Sequence, residues 1–236
     1  MTAPRVDVPR GVGTLREKPL HAALKAWVAE PSDLIEHAVD GFVIDLVRGD
    51  TLIEVQTRGF ASMKRKLPKL LEAHDVRVVH PIPVEKWILR LGEGGELLSR
   101  RRSPRRGAAI DVFAELVSFP ELVANPRFSL EVLITREEEL RRFEAGRAWR
   151  RKGWVVEERR LIEVVDRVPL DAPAALGRLL PPGLDDEFTT SELAEALRRP
   201  RRLAQQMAYC LRAAGVIEAI DKRANAVVYA RTEAAG

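Results

Sequence analysis

Two carboxylates, Asp45 and Glu54, flank a Gly49-Asp50 turn at positions where an antiparallel hairpin would set them directly opposite one another. The runs on either side, residues 41–47 and 51–57, are rich in β-branched and apolar side chains, and Gly49-Asp50 suits a two-residue turn. That register pairs Arg48 with Thr51, Val47 with Leu52, Leu46 with Ile53 and Asp45 with Glu54, and it puts Gln56 on the same sheet face. Opposed carboxylates repel unless a cation lies between them or water solvates both, and two hard oxygen ligands with retained waters suit Mg²⁺ (or Mn²⁺). A three-residue turn over residues 48–50 would flip the register and bring Asp40 to the Glu54 face. Asp45 needs no bulge and is the preferred ligand.

The elements that must hold this hairpin alternate in period. Leu15, Leu20, Ala23, Leu24, Trp27 and Val28 recur at helical spacing, which predicts a helix over residues 14–30 that Pro31 ends. Met63, Leu67, Leu70 and Leu71 predict a second helix over residues 60–74, with Pro68 in its first turn or at a kink. Strands are expected at residues 76–82 and 85–91, then a helix at 110–123, a strand at 128–134, a charged helix at 136–151, and a second hairpin from 154–156 and 161–165. The order makes an α/β chain, a mixed sheet flanked by helices.

Asp45, a short hairpin and then Glu54-Val55-Gln56 resemble the PD-(D/E)XK nuclease superfamily, in which an acid on one strand and an acid-x-lysine triplet on the next bind magnesium. Gln56 stands where lysine is usual, a departure some members of the superfamily share. The strand Glu54-Val55-Gln56-Thr57 with lysines following also resembles an uncharacterised bacterial family of this Glu-x-Gln type. The resemblance implies a restriction-endonuclease-like mixed sheet over residues 1–167 and magnesium-assisted phosphodiester hydrolysis. Asp45 and Glu54 would hold the ion, and Glu17 or Glu36 would add an upstream acid. With no lysine at position 56, Lys66 is the preferred substitute, ahead of Lys64. His37 and His80 are further acid/base candidates, although an isolated histidine is more often structural.

Prolines crowd residues 168–184 and predict a linker around a short helix. Beyond it, Thr189 and Glu192 have the spacing of a capping box. A turn at Arg198-Arg199-Pro200 leads into a helix with Leu203, Met207, Cys210, Leu211 and Ala214 on its apolar face. A terminal hairpin over residues 216–230 follows. Residues 185–236 resemble a winged helix-turn-helix domain, in which the second helix enters the major groove. Arg201, Arg202, Gln205, Gln206 and Tyr209 would then meet DNA, with Lys222 and Arg223 on the wing.

The 236 residues carry a formal net charge of +4, whereas residues 185–236 balance eight basic against eight acidic side chains, so local clustering matters more than the total. Residues 100–106 hold five arginines and no acid, which predicts a surface loop whose Arg105 and Arg106 contact phosphate. The single cysteine, Cys210, excludes an internal disulfide framework and a cysteine zinc cluster. It suits a reducing cytoplasm. No apolar run approaches membrane-spanning length, and the first ten residues lack the apolar core of a leader. The expected function is a metal-dependent DNA nuclease with a DNA-binding winged helix, with a homodimer compatible with these parts. The alternatives are a non-catalytic DNA-binding or regulatory protein on a degenerate nuclease scaffold, and a winged-helix assembly adaptor.

Overall fold

In the computed structural model, which describes residues 18–232, the first helix is α1, Pro19–Val28. Pro19 sits at its first position, where the missing N–H costs nothing. Three antiparallel strands follow: β1 (Leu34–Val39), β2 (Phe42–Arg48) and β3 (Thr51–Val55). A 3-10 turn at Phe60–Met63 and the short helix α2 (Lys66–Leu71) then lead to β4 (Asp75–Leu91), which returns parallel to β3. Next come β5 (Leu97–Arg102), α3 (Phe113–Leu116), β6 (Phe128–Phe143) and β7 (Trp154–Leu170). These seven strands form one sheet in the order β1-β2-β3-β4-β6-β7, with β5 paired to the far half of β4. The β3–β4 and β4–β6 pairs are parallel and the others antiparallel, so the α/β class and the mixed, helix-flanked sheet expected from the sequence are both observed.

Helices cover the sheet unequally. On one face, Leu20 and Leu24 of α1 pack with Leu46, Ile53, Val55, Val79 and Leu133. On the other lies a larger core that includes Phe60, Leu67 and Leu70 from the α2 region and Phe113 and Leu116 from α3. Phe60 stacks on Phe119 at 5.4 Å between ring centroids, and Phe119 meets Phe128 edge-on at 6.0 Å. Both faces of the central strands are therefore buried, as parallel pairing requires.

The C-terminal segment contains α4 (Pro173–Gly177), β8 (Glu187–Thr189), α5 (Thr190–Leu197), α6 (Arg201–Ala213), β9 (Ile217–Arg223) and β10 (Ala226–Arg231). Its three strands make a separate sheet, β8-β10-β9. Thr189 and Glu192 form the expected capping box, the Glu192 carboxylate accepting the Thr189 amide at 2.6 Å. The proline-rich stretch does not isolate this segment. β7 stays paired to β6 as far as Leu170, and Met207, Cys210 and Leu211 of α6 belong to the same buried core as Phe60 and Phe119. The boundary near residue 184 thus parts two sheets that share one core.

Several expected elements differ. Residues 136–143 lie in β6, not in a charged helix, although Glu, Leu and Arg there favour helix. Tertiary contacts override that preference: buried Glu139 binds Lys86 of β4 at 2.9 Å, while two same-strand contacts, Arg141 to Glu139 at 2.8 Å and Thr135 to buried Glu137 at 2.8 Å, satisfy the remaining acids along β6. The two expected strands at 76–82 and 85–91 are a single strand with a bulge between Pro83 and Glu85, and the expected second hairpin at 154–165 is the single strand β7. The helix expected at 110–123 is broken into α3 and two 3-10 turns. Arg100 to Arg102 belong to β5, where the Arg100 guanidinium lies 4.0 Å over the Trp87 ring and Arg102 pairs with Glu85, so the arginine run is only partly loop.

β1 was not anticipated. It is a mostly exposed edge strand whose polar Glu36 and His37 obscure any alternation. The readable signal was Asp40-Gly41, both with positive φ (49° and 79°), a turn that joins adjacent strands. Among the described residues, no helix is long and apolar enough to cross a membrane.

Candidate functional site

The expected hairpin register holds: Arg48 pairs with Thr51, Val47 with Leu52 and Leu46 with Ile53. There the backbone ladder stops, and Asp45 completes it with its side chain, Oδ2 accepting the Val55 N–H at 2.8 Å. On its other flank, pairing of β2 to β1 skips Asp45, because the opposite residue, Glu36, takes a left-handed φ of 52°. The distortion switches faces. Ile44 points into the larger core while Leu46 points into the α1 core, so Asp45 sits in a fork between strands rather than on one regular face.

Three cationic or ionisable side chains, His21, Lys25 and Lys66, converge on this fork. His21 Nε2 lies 3.2 Å from Asp45 Oδ2, and Lys25, one helical turn on, donates to Glu36 Oε1 at 2.7 Å. From α2, the Lys66 ammonium donates to Glu54 Oε1 at 2.6 Å and to the Val43 carbonyl at 2.7 Å. Gln56 is directed elsewhere: its amide donates to the Gly59 carbonyl at 3.0 Å and to Ser62 Oγ at 2.8 Å. The Gln56 backbone carbonyl lies 2.6 Å from Nδ1 of buried His80, which also meets Phe60 edge-on. His80 is therefore a packing and loop-anchoring residue, held below its ordinary titration range by burial, although the Gln56 carbonyl opposes that shift.

Environment separates the two carboxyls. For Asp45 burial favours the neutral acid, but the His21 hydrogen bond and charge, the Val55 amide and Lys25 outweigh it, and the group titrates below its ordinary range. For Glu54 burial wins over Lys66 and the Asp45 amide, with help from the Asp45 charge, and its carboxyl is raised. The stability consequences have opposite signs. Asp45 contributes stability above its unfolded-state value and loses it as pH falls through the folded one. The Glu54 contribution is fully present below its unfolded-state value and is lost as pH rises through the folded one.

Lys66→Met strands Glu54 beside Asp45 with no counter-ion. It should cost about 3 kcal/mol at neutral pH, the scale for breaking a buried pair by removing one partner. The penalty should shrink as pH falls, because Glu54 can then take up a proton. Urea midpoints across pH measure both; a Lys66→Met midpoint equal to the parent's at neutral pH contradicts the pairing.

The remaining expected residues are dispersed. Asp40 is in the β1–β2 turn, with its carboxylate 2.8 Å from His74 Nε2, which leaves Asp45 as the acid beside Glu54. Glu36 is held by Lys25, Lys64 is exposed on the approach to α2, and His37 is exposed on β1. Glu17 lies outside the described residues. Among the described residues no group of three or more His, Cys, Asp or Glu side chains is arranged to hold a metal ion. Cys210 is enclosed in the core, and burial pushes its thiol up to about 12, which leaves it inert at neutral pH.

Two concave surfaces carry several cationic side chains. One, of about 570 Å³, opens just past Gln56 at Thr57 to Gly59 and gathers Lys18, Arg58, Lys86, Arg105, Arg151 and Arg159. Only Arg105 was anticipated, since these cations come from separate segments and have no sequence spacing in common. The Arg106 carbonyl accepts from Arg199, tying the loop after β5 to the α5–α6 turn. The second, of about 300 Å³, lies between α6 and the β9–β10 hairpin, where Arg201, Gln205, Tyr209 and Arg212 face Asn225 and Tyr229. Arg202 is exposed and Gln206 half-buried on the same helix, and Lys222 and Arg223 are exposed on the hairpin, with Arg223 bound to Glu192.

The family model described as "Domain of unknown function (DUF8091)" matches residues 18–171. The chain belongs to this family. The DUF8091 region runs from α1 through β7 and contains Asp45, Glu54, Lys66 and the larger cleft, while α6 and the C-terminal hairpin lie beyond it. A protein of Treponema pallidum (strain Nichols), bearing the name "Uncharacterized protein", is 30% identical over 186 residues, which span 78% of this chain and 74% of that protein. No solved structure matches the chain.

Proposed function

We propose that this protein is a metal-dependent DNA nuclease of PD-(D/E)XK type whose C-terminal segment is a DNA-binding winged helix-turn-helix domain. The observation that carries the proposal is the fork at Asp45 and Glu54, where a half-buried and a buried carboxylate with oppositely shifted titration adjoin beside a lysine. The element order supports it: α1, an antiparallel set of strands, α2, and a parallel β4 follow the order that the resemblance implies.

The donor set fits a hard divalent cation. Asp45 uses Oδ2 for the Val55 amide and His21, and Glu54 uses Oε1 for Lys66, so Oδ1 and Oε2 would be the ligand oxygens for Mg²⁺ or Mn²⁺. Such an ion supplies Lewis-acid polarisation of the phosphate and a water of lowered pKa. Asp45 stays ionised at the pH of use, and Lys66, tethered by the Val43 carbonyl, is placed to donate to a phosphate oxygen. Gln56 shapes the loop at the mouth of the cleft instead of activating water. The cleft cations accept the phosphate backbone, and α6 with its hairpin offers arginine, glutamine and tyrosine to duplex DNA. A reducing cytoplasm suits the lone, inert thiol of Cys210.

The test is incubation of the purified full chain with supercoiled plasmid and with single-stranded DNA, with Mg²⁺ or Mn²⁺. Cleavage that EDTA abolishes is expected; absence of both cleavage and Mn²⁺ binding overturns the enzyme reading. The Gln56 side chain and the closed Lys66–Glu54 pair favour a second reading, a non-catalytic DNA-binding or regulatory protein on the same scaffold. Both readings expect salt-dependent duplex binding. Changing Arg201 and Arg202 to alanine should reduce the slope of log K against log salt by about 2, close to one unit for each phosphate contact removed. Salt-insensitive or absent binding would favour an assembly adaptor.

A further inference from the structure

The β6–β7 connection presents an aromatic ring that no packing requirement explains. Trp149 is 80% exposed, the most exposed large hydrophobic side chain among the described residues. It stands in the run Arg147-Ala148-Trp149-Arg150-Arg151-Lys152, four cations and no acid, and the nearest acid, Glu144, is paired with Arg147 at 2.6 Å. Among the described residues Arg150, Arg151 and Lys152 make no ion pair. The Arg150 guanidinium lies 5.0 Å from the Trp149 ring centroid, a cation–π contact that engages the ring without covering it.

The tip is built rather than frayed. Trp149–Arg151 form a 3-10 turn, closed by Arg151 N–H to Ala148 O at 2.7 Å and Lys152 N–H to Trp149 O at 3.0 Å. Ala148 and Lys152 hold left-handed φ values of 49° and 52°, a backbone cost that persists only where the surroundings over-determine it. Below the tip, Phe143 meets Trp154 edge-on at 5.8 Å and Arg90 lies 4.6 Å over Trp154. Gly153, at φ 84°, has no room for a side chain, since a Cβ there would fall 2.4 Å from the Phe143 ring.

We infer that the β6–β7 tip is a binding element for single-stranded nucleic acid, with Trp149 as the platform on which an unpaired base stacks and Arg150, Arg151 and Lys152 as its phosphate contacts. Three observations select this ligand. An exposed ring amid unpaired cations matches a polyanion whose units each carry a flat π-face. A duplex keeps its bases stacked, so only an unpaired base can use the ring. Arg151 also lines the larger cleft, where six cations (with Lys18, Arg58, Lys86, Arg105 and Arg159) outnumber four acids (Asp111, Glu115, Glu157 and Glu158), so a strand leaving the tip meets further phosphate contacts there. An anionic membrane surface is less suited, because Trp149 protrudes alone between cations and the cleft offers a track for a linear chain. The inference goes beyond the nuclease proposal and stands whether or not the fork cuts.

The test uses the full chain in EDTA, so that no cleavage contributes, with short oligo(dT), short oligo(U), a blunt duplex, and phosphatidylserine vesicles as separate probes. Trp149→Ala should weaken oligonucleotide binding about tenfold, Trp149→Phe should retain most of it, and duplex affinity should not change. Oligonucleotide binding should quench tryptophan fluorescence in the parent and much less in Trp149→Phe. Preference between oligo(dT) and oligo(U) identifies the sugar, and either supports the inference. Unchanged affinity in Trp149→Ala, equal losses on single strand and duplex, or vesicle binding without oligonucleotide binding each overturn it.

Discussion

Under the nuclease function proposed above, replacing Glu54 with glutamine is expected to lower metal-dependent DNA cleavage on the order of a thousandfold, since loss of an anionic ligand would remove several kcal/mol of transition-state stabilisation and each ~1.4 kcal/mol is about tenfold. The same change should leave the fold intact. Glutamine keeps the shape and an oxygen for the Lys66 ammonium, and it removes the repulsion that the Asp45 charge exerts on a buried carboxylate. The unfolding midpoint at neutral pH is therefore expected to be unchanged or higher, which separates loss of chemistry from loss of structure. Lys64→Ala, at an exposed position on the approach to α2, is the control and should cut at the parent rate. Cleavage that survives Glu54→Gln undiminished would move the activity away from the fork.

Phe119→Ala is expected to destabilise the whole described chain by about 4 kcal/mol, the range for truncating a buried phenylalanine. Phe119 is 2% exposed, stacked on Phe60 and edge-on to Phe128, and the 3-10 turn that begins at the next residue packs against α6. A void at this position reaches both sheets. Tryptophans 27, 87, 149 and 154 all lie on the large-sheet side, and the two tyrosines, Tyr209 and Tyr229, lie in the C-terminal segment. Tryptophan fluorescence and tyrosine near-UV signals thus report separately on the two parts, and their urea transitions should coincide and shift together. A Phe119→Ala protein whose tyrosine transition stays at the parent midpoint would show that the C-terminal segment folds alone.

The central hairpin was legible in the sequence because its information is local: a Gly-Asp turn fixes the register, and β-branched neighbours fix the strands. The helix before it, the capping box at Thr189 and the order of α5, the turn at Pro200, α6 and the hairpin were legible for the same reason, whereas the single helix expected over residues 60–74 is a 3-10 turn and the short α2. The far half of β6 was not. Its glutamates and arginines favour helix alone and become strand only because Lys86 and Arg159 on neighbouring strands meet them, information that no window of β6 contains. The candidate site divides along the same line. Asp45, Glu54 and Lys66 follow from the hairpin and the helix after it, whereas the His21 contact and the cleft cations depend on how distant segments come together. Gln56 shows the limit of spacing: it occupies the expected strand position, yet two local hydrogen bonds to Gly59 and Ser62 decide where its amide points.

The left-handed Glu36 has a further effect, on the company the protein keeps in solution. β1 is the outermost strand of the large sheet, and Leu34, Ile35 and the neighbouring Val43 are 52%, 60% and 64% exposed. A flat edge carrying such side chains is a template on which other chains add strands and aggregate. Glu36 interrupts that template at its middle, turning the backbone out of register with any incoming strand while Lys25 holds its side chain back toward α1. The kink that opens the fork for Asp45 therefore also guards the exposed rim of the sheet against runaway polymerisation.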